Sequence, residues 1–329
     1  MTNAAHSNIE LSVVIPLYNE EGNLRALHDA LAAALPKTKR RYEIILINDG
    51  SRDGTEEILA DIAASDPTVQ PINLRRNFGQ TAAIMAGLDH AQGDVIVPLD
   101  GDLQNDPEDI PALLAKLDEG YDVVSGWRKD RQDDRGRSVL SRIANRIISI
   151  ISGVHLHDYG CTLKAYRREV IEGVRLYGEM HRFVPIYATW QGGRVTEMPV
   201  NHRARTVGKS NYGFERIFKV MFDLMVVQFL MRYDTKPIYV FGLVGMLSIL
   251  ISFLGGLVAL YLRFFEGTSL IQTPLPLLSA LTFLTGVICI LTGLMAELLV
   301  RVYYESQGKT TYLVKQPRKL PTADPAGTE

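Results

Sequence analysis

The sequence predicts an α/β domain with a mostly parallel sheet, followed by an interfacial helix and two transmembrane helices. Short apolar runs alternate with longer amphipathic ones over the first hundred residues, polar clusters close three of those runs, and two long uncharged apolar stretches dominate the C-terminal third. With 329 residues, 47% of them hydrophobic, the chain is long enough for one large α/β domain and something more. A formal net charge of −2 offers no basic excess for nucleic acid and no acidic tail for disorder.

The elements follow in order. "LSVVIPL" from Leu11 reads as a strand, and "EEGNLRALHDALAAAL" places Leu24, Leu27, Leu31 and Leu35 at helical spacing. "YEIILIN" is a second strand, "DGTEEILADIAAS" a second helix, "VQPINL" a third strand and "GQTAAIMAGLDHA" a third helix. "DVIVPL" is the fourth strand. Continuous apolar strands separated by helices argue for a parallel sheet covered on both faces. The two cysteines, Cys161 and Cys289, lie far apart without metal-ligand spacing, so neither a disulfide framework nor a zinc site is predicted. The N-terminal ten residues are polar and lack a signal-peptide pattern, which puts the start of the chain in the cytoplasm.

Ile238 to Leu262 carries no charge, and neither does Pro274 to Ala296, after which the apolar character continues to Val300. Each can cross a hydrocarbon core of ~30 Å as a helix at ~1.5 Å per residue. Two transmembrane helices are expected, at about 238–262 and 275–299. Arg232 and Lys236 precede the first, Arg301, Lys309, Lys315, Arg318 and Lys319 follow the second, and Arg263 alone is basic in the loop between. The positive-inside rule makes both ends cytoplasmic. The segment 214–236 begins apolar but is broken by Glu215, Arg216, Lys219, Asp223 and Arg232, which suits a helix lying in the interface. The expected organisation is a polar tail at 1–10, a cytosolic α/β domain at 11–213, the juxtamembrane segment at 214–236, the membrane helices within 237–300 and a cytoplasmic tail at 301–329.

In an open parallel sheet, ligands bind at the carboxyl ends of the strands. Tyr18, Asn19 and Glu20 follow the first strand, Asp49 and Ser51 the second, and Asp100 and Asp102 the fourth. Turn chemistry accounts for each cluster singly, and Asp106 before Pro107 reads as a helix N-cap. It does not account for all of them falling at one rim. No G-x-G-x-x-G follows the first strand, and the "GKS" at Gly208 lacks a P-loop's leading glycine, whose place is taken by Arg203.

"VVIPLYNEE", "INDGSRDGT", "NFGQTAAIMAGLDHAQGDVIVPLDGDLQNDPE" and "DYGCTLKAYRR" together resemble the family 2 glycosyltransferases that act on polyprenyl phosphates. The resemblance covers roughly Leu11 to Tyr233. It implies a Rossmann-like glycosyltransferase A fold, a UDP- or GDP-linked sugar donor, a divalent metal (Mg²⁺ or Mn²⁺), a lipid-phosphate acceptor such as undecaprenyl phosphate, and a homo-oligomer, by resemblance a tetramer. A departing nucleotide diphosphate needs its charge neutralised, and hard oxygen ligands suit the ion that would do so. In line with the family's D-x-D-x-Q pattern, Asp100 and Asp102 would hold that ion with Gln104 as a third contact. Two apart in sequence, the acids tend to point the same way, and Gly101 leaves room for the sugar-phosphate.

By the same resemblance Asp49 accepts hydrogen bonds from the nucleobase, Pro16 and Tyr18 lie against base or ribose, and Glu20 is nearby. Glu20 reads equally as a first-turn acid favoured by the helix dipole. Arg128, Arg137 and Ser141 would hold the acceptor phosphate, while Arg131 and Arg135 read as solvated. Asp158 belongs near the donor or acceptor centre, Cys161 reads as a packing residue, and the histidines of "HLHD" (His155 and His157) read as incidental. Arg182 joins the donor side, and Lys209 and Ser210 sit on a Gly-containing loop that could close over the diphosphate. A phosphate monoester is already ionised near neutral pH, so in-line attack with inversion needs no dedicated base. A processive polysaccharide synthase shares the donor half but calls for a Q-x-x-R-W motif and more spans. A non-enzymatic membrane scaffold would not need Asp100, Asp102 and Gln104 intact. The sugar is not specified.

Overall fold

The computed structural model describes residues 9–129, 145–203 and 237–306, apart from residues 147, 151, 173, 175, 177 and 179. Arg131, Arg135, Arg137, Ser141, Lys209, Ser210 and the juxtamembrane segment 214–236 lie outside the described residues. The chain divides into two compact units, Met1–Gln228 and Phe229–Glu329.

The first unit is a seven-stranded sheet in the order β3-β2-β1-β4-β6-β5-β7. Its strands are β1 (Leu11–Leu17), β2 (Tyr42–Asn48), β3 (Val69–Asn73), β4 (Val95–Pro98), β5 (Val123–Trp127), β6 (Lys164–Arg167) and β7 (Val195–Pro199). The expected parallel arrangement holds for β3, β2, β1 and β4, with Leu17 beside Asn48 and Val14 beside Pro98. β6 runs antiparallel to both β4 and β5, and β7 is parallel to β5. The carboxyl ends of β1, β2, β4, β5 and β7 therefore share one edge with the amino end of β6.

Side-chain alternation along β1 explains the layering. Leu11, Val13, Ile15 and Leu17 are buried in one core with Leu24, Leu27 and Leu31 of helix α1 (Leu24–Ala34), Leu59 and Ile62 of α2 (Thr55–Ser65) and Leu113, Leu114 and Leu117 of α4 (Ile110–Asp118). Val14 faces the opposite layer, where α3 (Gln80–His90) crosses at Gly87. A Cβ there would lie 2.3 Å from Val14 Cγ1 and 2.9 Å from Ile47 Cδ1, so only glycine lets α3 sit this close to the sheet. A short α5 (Val184–Trp190) follows on from the 3-10 turn Met180–Phe183.

The second unit is a helical hairpin of α6 (Ile238–Phe265) and α7 (Leu275–Ser306). Ile238–Phe265 and Leu275–Val300 have mean hydropathies of 2.4 and 2.2 and are long enough to cross a membrane. Small residues meet at seven-residue intervals along the two antiparallel helices, the spacing that keeps one seam in register. A Cβ on Gly245 would lie 2.7 Å from Gly286 O, one on Gly286 2.7 Å from Gly245 O, and one on Gly293 2.8 Å from Ile238 Cδ1. One heptad further along the seam, Ser252 Oγ donates to Ser279 O at 2.6 Å. A Gly286→Leu variant is expected to force the helices apart at a cost of about 1–3 kcal/mol. The check is a lower thermal midpoint in detergent, with Gly256→Leu as the control because nothing lies within 4 Å of a Cβ there.

Candidate active site

The rim is built by loops that lock into one another. After β1, Asn19 takes a left-handed conformation (φ 56°). Its N–H donates to Ser51 Oγ at 3.0 Å and its Oδ1 accepts Arg52 N–H at 2.9 Å. Glu20 N–H donates to Thr55 Oγ1 (3.0 Å), and Glu21 accepts from Gly54 N–H (2.7 Å). Glu20 Oε2 also accepts from Asn23 Nδ2 at 2.6 Å, ahead of α1. This interlocking closes the turn ahead of α1, which starts at Leu24, the first residue of the leucine periodicity, so Glu20 lies before the helix and not in its first turn. Tyr18 stands at the rim with 41% of its surface exposed.

Asp49 is buried after β2, and its two oxygens accept from Phe78 N–H (2.7 Å) and Gly79 N–H (2.9 Å). Gly50 (φ 65°) lets the chain pass Arg76 C, 2.4 Å from where a Cβ would lie. Asp49 thus secures the turn that starts α3, and the first residue of that helix, Gln80, donates from Nε2 to Asp100 Oδ1 at 2.7 Å.

β4 ends at Pro98, so strand alternation does not govern the two acids as the sequence suggests. Residues 100–102 enter a turn closed by Leu103 at φ 59°, with Gln104 N–H donating to Asp102 Oδ1 (3.2 Å). A Cβ on Gly101 would lie 2.6 Å from Leu17 Cδ2, 3.3 Å from Pro16 O and 3.7 Å from Glu20 Cγ. Only glycine allows the turn to fold over the end of β1, and this packing draws Pro16 and Glu20 up to Asp100 and Asp102. Asp106 caps the next turn as expected, accepting from Glu108 N–H at 3.2 Å. Beyond β7, Arg203 N–H donates to Gln104 O (2.8 Å) and its guanidinium pairs with Asp106.

Basic residues gather along the same edge. Arg128, just past β5, makes a fork to Asp158, Nε to Oδ2 at 2.7 Å and Nη2 to Oδ1 at 3.0 Å, with 11% and 3% of the two side chains exposed. Gly160 N–H also donates to Asp158 Oδ1 (3.0 Å). A Cβ on Gly160 would meet Arg128 Nη2 and Arg182 Nη1, each at 3.2 Å, so two guanidinium groups flank that glycine. Next to Arg182 in the chain, His181 is anchored to α3, its Nδ1 lying 2.7 Å from Thr81 Oγ1. Because the Thr81 hydroxyl has one proton and also faces the acceptor-only Gly178 O at 2.5 Å, the Nδ1 of His181 is the donor in their bond. Cys161 packs in the core, its Sγ 3.7 Å from Asn105 Oδ1, next to the acidic turn.

Among the described residues, no three His, Cys, Asp or Glu side chains group to hold a metal ion. The donor set at the acidic turn is two carboxylates with an amide. That set fits a hard divalent ion.

Residues 12–175 match the model of glycosyl transferase family 2. Dodecaprenyl-phosphate galacturonate synthase of Rhizobium johnstonii is 41% identical over 326 residues, covering 96% of this chain and 95% of that one. Undecaprenyl-phosphate 4-deoxy-4-formamido-L-arabinose transferase of Shewanella sediminis is 39% identical over 313 residues, covering 94% and 93%. The chain belongs to glycosyl transferase family 2. It is a polyprenyl-phosphate glycosyltransferase of that family. Two solved structures share the fold. Glucosyl-3-phosphoglycerate synthase from Mycobacterium tuberculosis, in complex with Mn²⁺, UDP and glucosyl-3-phosphoglycerate, aligns at TM-score 0.52 and 19% identity over 67% of this chain and 80% of that one. S. aureus TarS 1-349 in complex with UDP-GlcNAc aligns at 0.51 and 17% identity over 92% and 93%.

In this glycosyltransferase one sheet edge collects Pro16, Tyr18, Glu20, Asp49, Asp100, Asp102, Gln104, Arg128, Asp158 and Arg182. Sequence reasoning missed Gln80, Thr81, His181 and Arg203, which hold the expected residues in place. His157, read as incidental, is tied to Glu197 and Trp127. The one cue was adjacency, since Gln80 and Thr81 sit inside "NFGQTAAIMAG" and His181 next to Arg182.

Lys164 is fully buried beside this cluster, its Nζ donating to Tyr159 O (3.3 Å) and to Cys161 O. Burial pushes its ammonium down to about 8; Cys161 and Asp158 oppose the shift, while Arg182 and Arg128 add to it. The unfolded lysine titrates near ~10.4. Between those values the unfolded chain holds the extra proton, so this group makes folding more favourable as pH rises through about 8. From pH 7 to 9 the glycosyltransferase is expected to gain about 1 kcal/mol relative to a Lys164→Met variant, read from thermal midpoints of both proteins at both pH values.

Proposed function

We propose that this glycosyltransferase moves a sugar from a UDP- or GDP-linked donor to a membrane polyprenyl phosphate such as undecaprenyl phosphate, with inversion at the anomeric carbon. The reading rests on one observation: the acidic turn 100–104 and the Arg128–Asp158–Arg182 cluster lie on the same sheet edge. The arginines offer positive charge to an anionic nucleophile, and the acids offer hard oxygen ligands to a cation that would meet an anionic leaving group. Mg²⁺ or Mn²⁺ held by Asp100, Asp102 and Gln104 would neutralise the diphosphate as it departs.

On the donor side, Pro16, Tyr18 and Glu20 border the nucleoside, Asp49 shapes its floor through the Phe78–Gly79 turn, and Arg182 faces the diphosphate. The "GKSNYG" loop with Lys209 and Ser210 adds positive charge to that side. On the acceptor side, Arg128 with Arg137 and Ser141 grips and aims the lipid phosphate. The phosphate oxygen is the nucleophile and carries no proton that must be removed. Asp158, already engaged by Arg128 and by Gly160 N–H, orients the arginine rather than accepting a proton.

The names of the relatives bracket the sugar between a uronic acid and a formamido-pentose. The test is a panel of UDP- and GDP-linked hexoses, uronic acids and 4-formamido-arabinose offered with undecaprenyl phosphate and Mn²⁺ or Mg²⁺, read by mass spectrometry of the lipid. One donor should yield a mass increase of one glycosyl residue, and no product from any of them defeats the reading. The place of action is a bacterial inner membrane with both termini cytoplasmic, so alkaline phosphatase fused after Glu329 is expected to be inactive and green fluorescent protein fused there to fluoresce.

A further inference from the structure

We infer that Glu197 is a positioning residue for the acceptor arginine, acting through His157. The inference rests on the assignment of Arg128 to the lipid phosphate given above.

β5 and β7 are parallel neighbours, with Ser125 beside Glu197 and Trp127 beside Pro199. The loop that leads into β6 crosses the ends of both strands, and His157 is its fixed point. Its backbone N–H donates to Glu197 Oε2 at 2.8 Å, and its ring Nδ1 bonds Glu197 Oε1. Its carbonyl accepts from Asn145 Nδ2 at 2.7 Å. Its ring stacks on Trp127 with centroids 4.4 Å apart and planes 19° from parallel.

The His157 side chain is nevertheless 66% exposed. Core packing does not explain an exposed side chain held through its ring and both of its backbone polar groups. Ordering it costs side-chain entropy, which needs a return elsewhere. The return is at the next residue. Two consecutive residues at the end of β5 hold two consecutive residues of the loop: Trp127 stacks on His157, and Arg128 forks onto Asp158. With both Glu197 oxygens on His157, Asp158 is presented to Arg128 at one height and angle, and the guanidinium is fixed relative to the acidic turn. A displacement of about 1 Å at such a point costs up to ~10²-fold in rate.

The experiment measures binding of two probes by calorimetry in detergent: farnesyl phosphate, as a short polyprenyl phosphate, and UDP or GDP, whichever binds the parent, with Mn²⁺. For Glu197→Ala the expected result is about tenfold weaker farnesyl phosphate binding with unchanged nucleotide binding and thermal midpoint. Glu197→Gln should bind nearly as the parent, because its amide oxygen can accept the His157 N–H and its amide N–H can donate to Nδ1 of the other tautomer. His157→Phe keeps the stack and the backbone bond but loses the ring bond, and should fall between the two.

Parental farnesyl phosphate affinity in Glu197→Ala overturns the inference. So does an equal loss for both probes that glutamine fails to restore, since that marks a folding residue. If Glu197→Ala does not fold, His157→Phe decides by the same criterion. Arg128→Lys separates the two levels. If it weakens nucleotide rather than farnesyl phosphate, the acceptor assignment fails; if it weakens farnesyl phosphate while Glu197→Ala does not, only the role of Glu197 fails.

Discussion

Asp100→Ala and Asp102→Ala each lower transfer by about a thousandfold or more, an expected loss like that from removing a preorganised group that meets developing charge. The circular dichroism spectrum and thermal midpoint should stay close to the parent's. Neither acid belongs to the apolar core: Asp100 accepts one described hydrogen bond, from Gln80, Asp102 accepts Gln104 N–H, and the turn is shaped by Gly101 packing over Leu17. Asp102→Asn is the sharper variant, because the amide oxygen can still accept Gln104 N–H and leave the turn intact while the charge is gone. It should be as inactive as alanine. EDTA should silence the parent, and added Mn²⁺ or Mg²⁺ should restore it. Undiminished transfer in EDTA would remove the metal from the reading and leave the acids as turn residues.

Arg128→Ala is expected to fail twice, and the two failures can be separated. Asp158 is 3% exposed and Arg128 11% exposed, so removing the arginine leaves a buried carboxylate without its fork, at a cost of about 3–5 kcal/mol in stability. The double variant Arg128→Ala, Asp158→Ala removes the orphaned charge as well and should recover most of that loss. It should not recover transfer. Use of lipid phosphate stays depressed in both, while calorimetric binding of nucleotide with Mn²⁺ remains near the parent's. Arg128→Lys keeps the charge but not the planar fork, and should restore activity only in part. If transfer returned with stability in the double variant, the Arg128–Asp158 pair would be a strut and the acceptor phosphate would be held elsewhere.

Local patterns wrote the strands and helices of the first half. "LSVVIPL" and "YEIILIN" are β1 and β2 residue for residue, because continuous burial on both faces makes a strand legible as an unbroken apolar run ending at polar residues. Length and lack of charge marked α6 and α7 and their starts at 238 and 275, while the helices themselves run on past the uncharged stretches to Phe265 and Ser306. Tertiary structure decided what pairs with what. "KAYR" carries no alternation that marks a strand, yet it becomes β6, inserted antiparallel between β4 and β5, since its place depends on two neighbours distant in sequence. The hairpin seam is equally silent locally: Gly245 matters because Gly286 faces it.

The site divides along the same line. The acids and Arg128 were legible as types at the ends of apolar runs. Asp49 serving the Phe78–Gly79 turn, Gln80 bonding Asp100, His181 bonding Thr81 and Glu197 holding His157 were not, for their partners stand 20 to 100 residues away. Periodicity records which face of an element is buried. A single polar bond across a crossover repeats nowhere along the chain, so only the folded geometry brings donor and acceptor together.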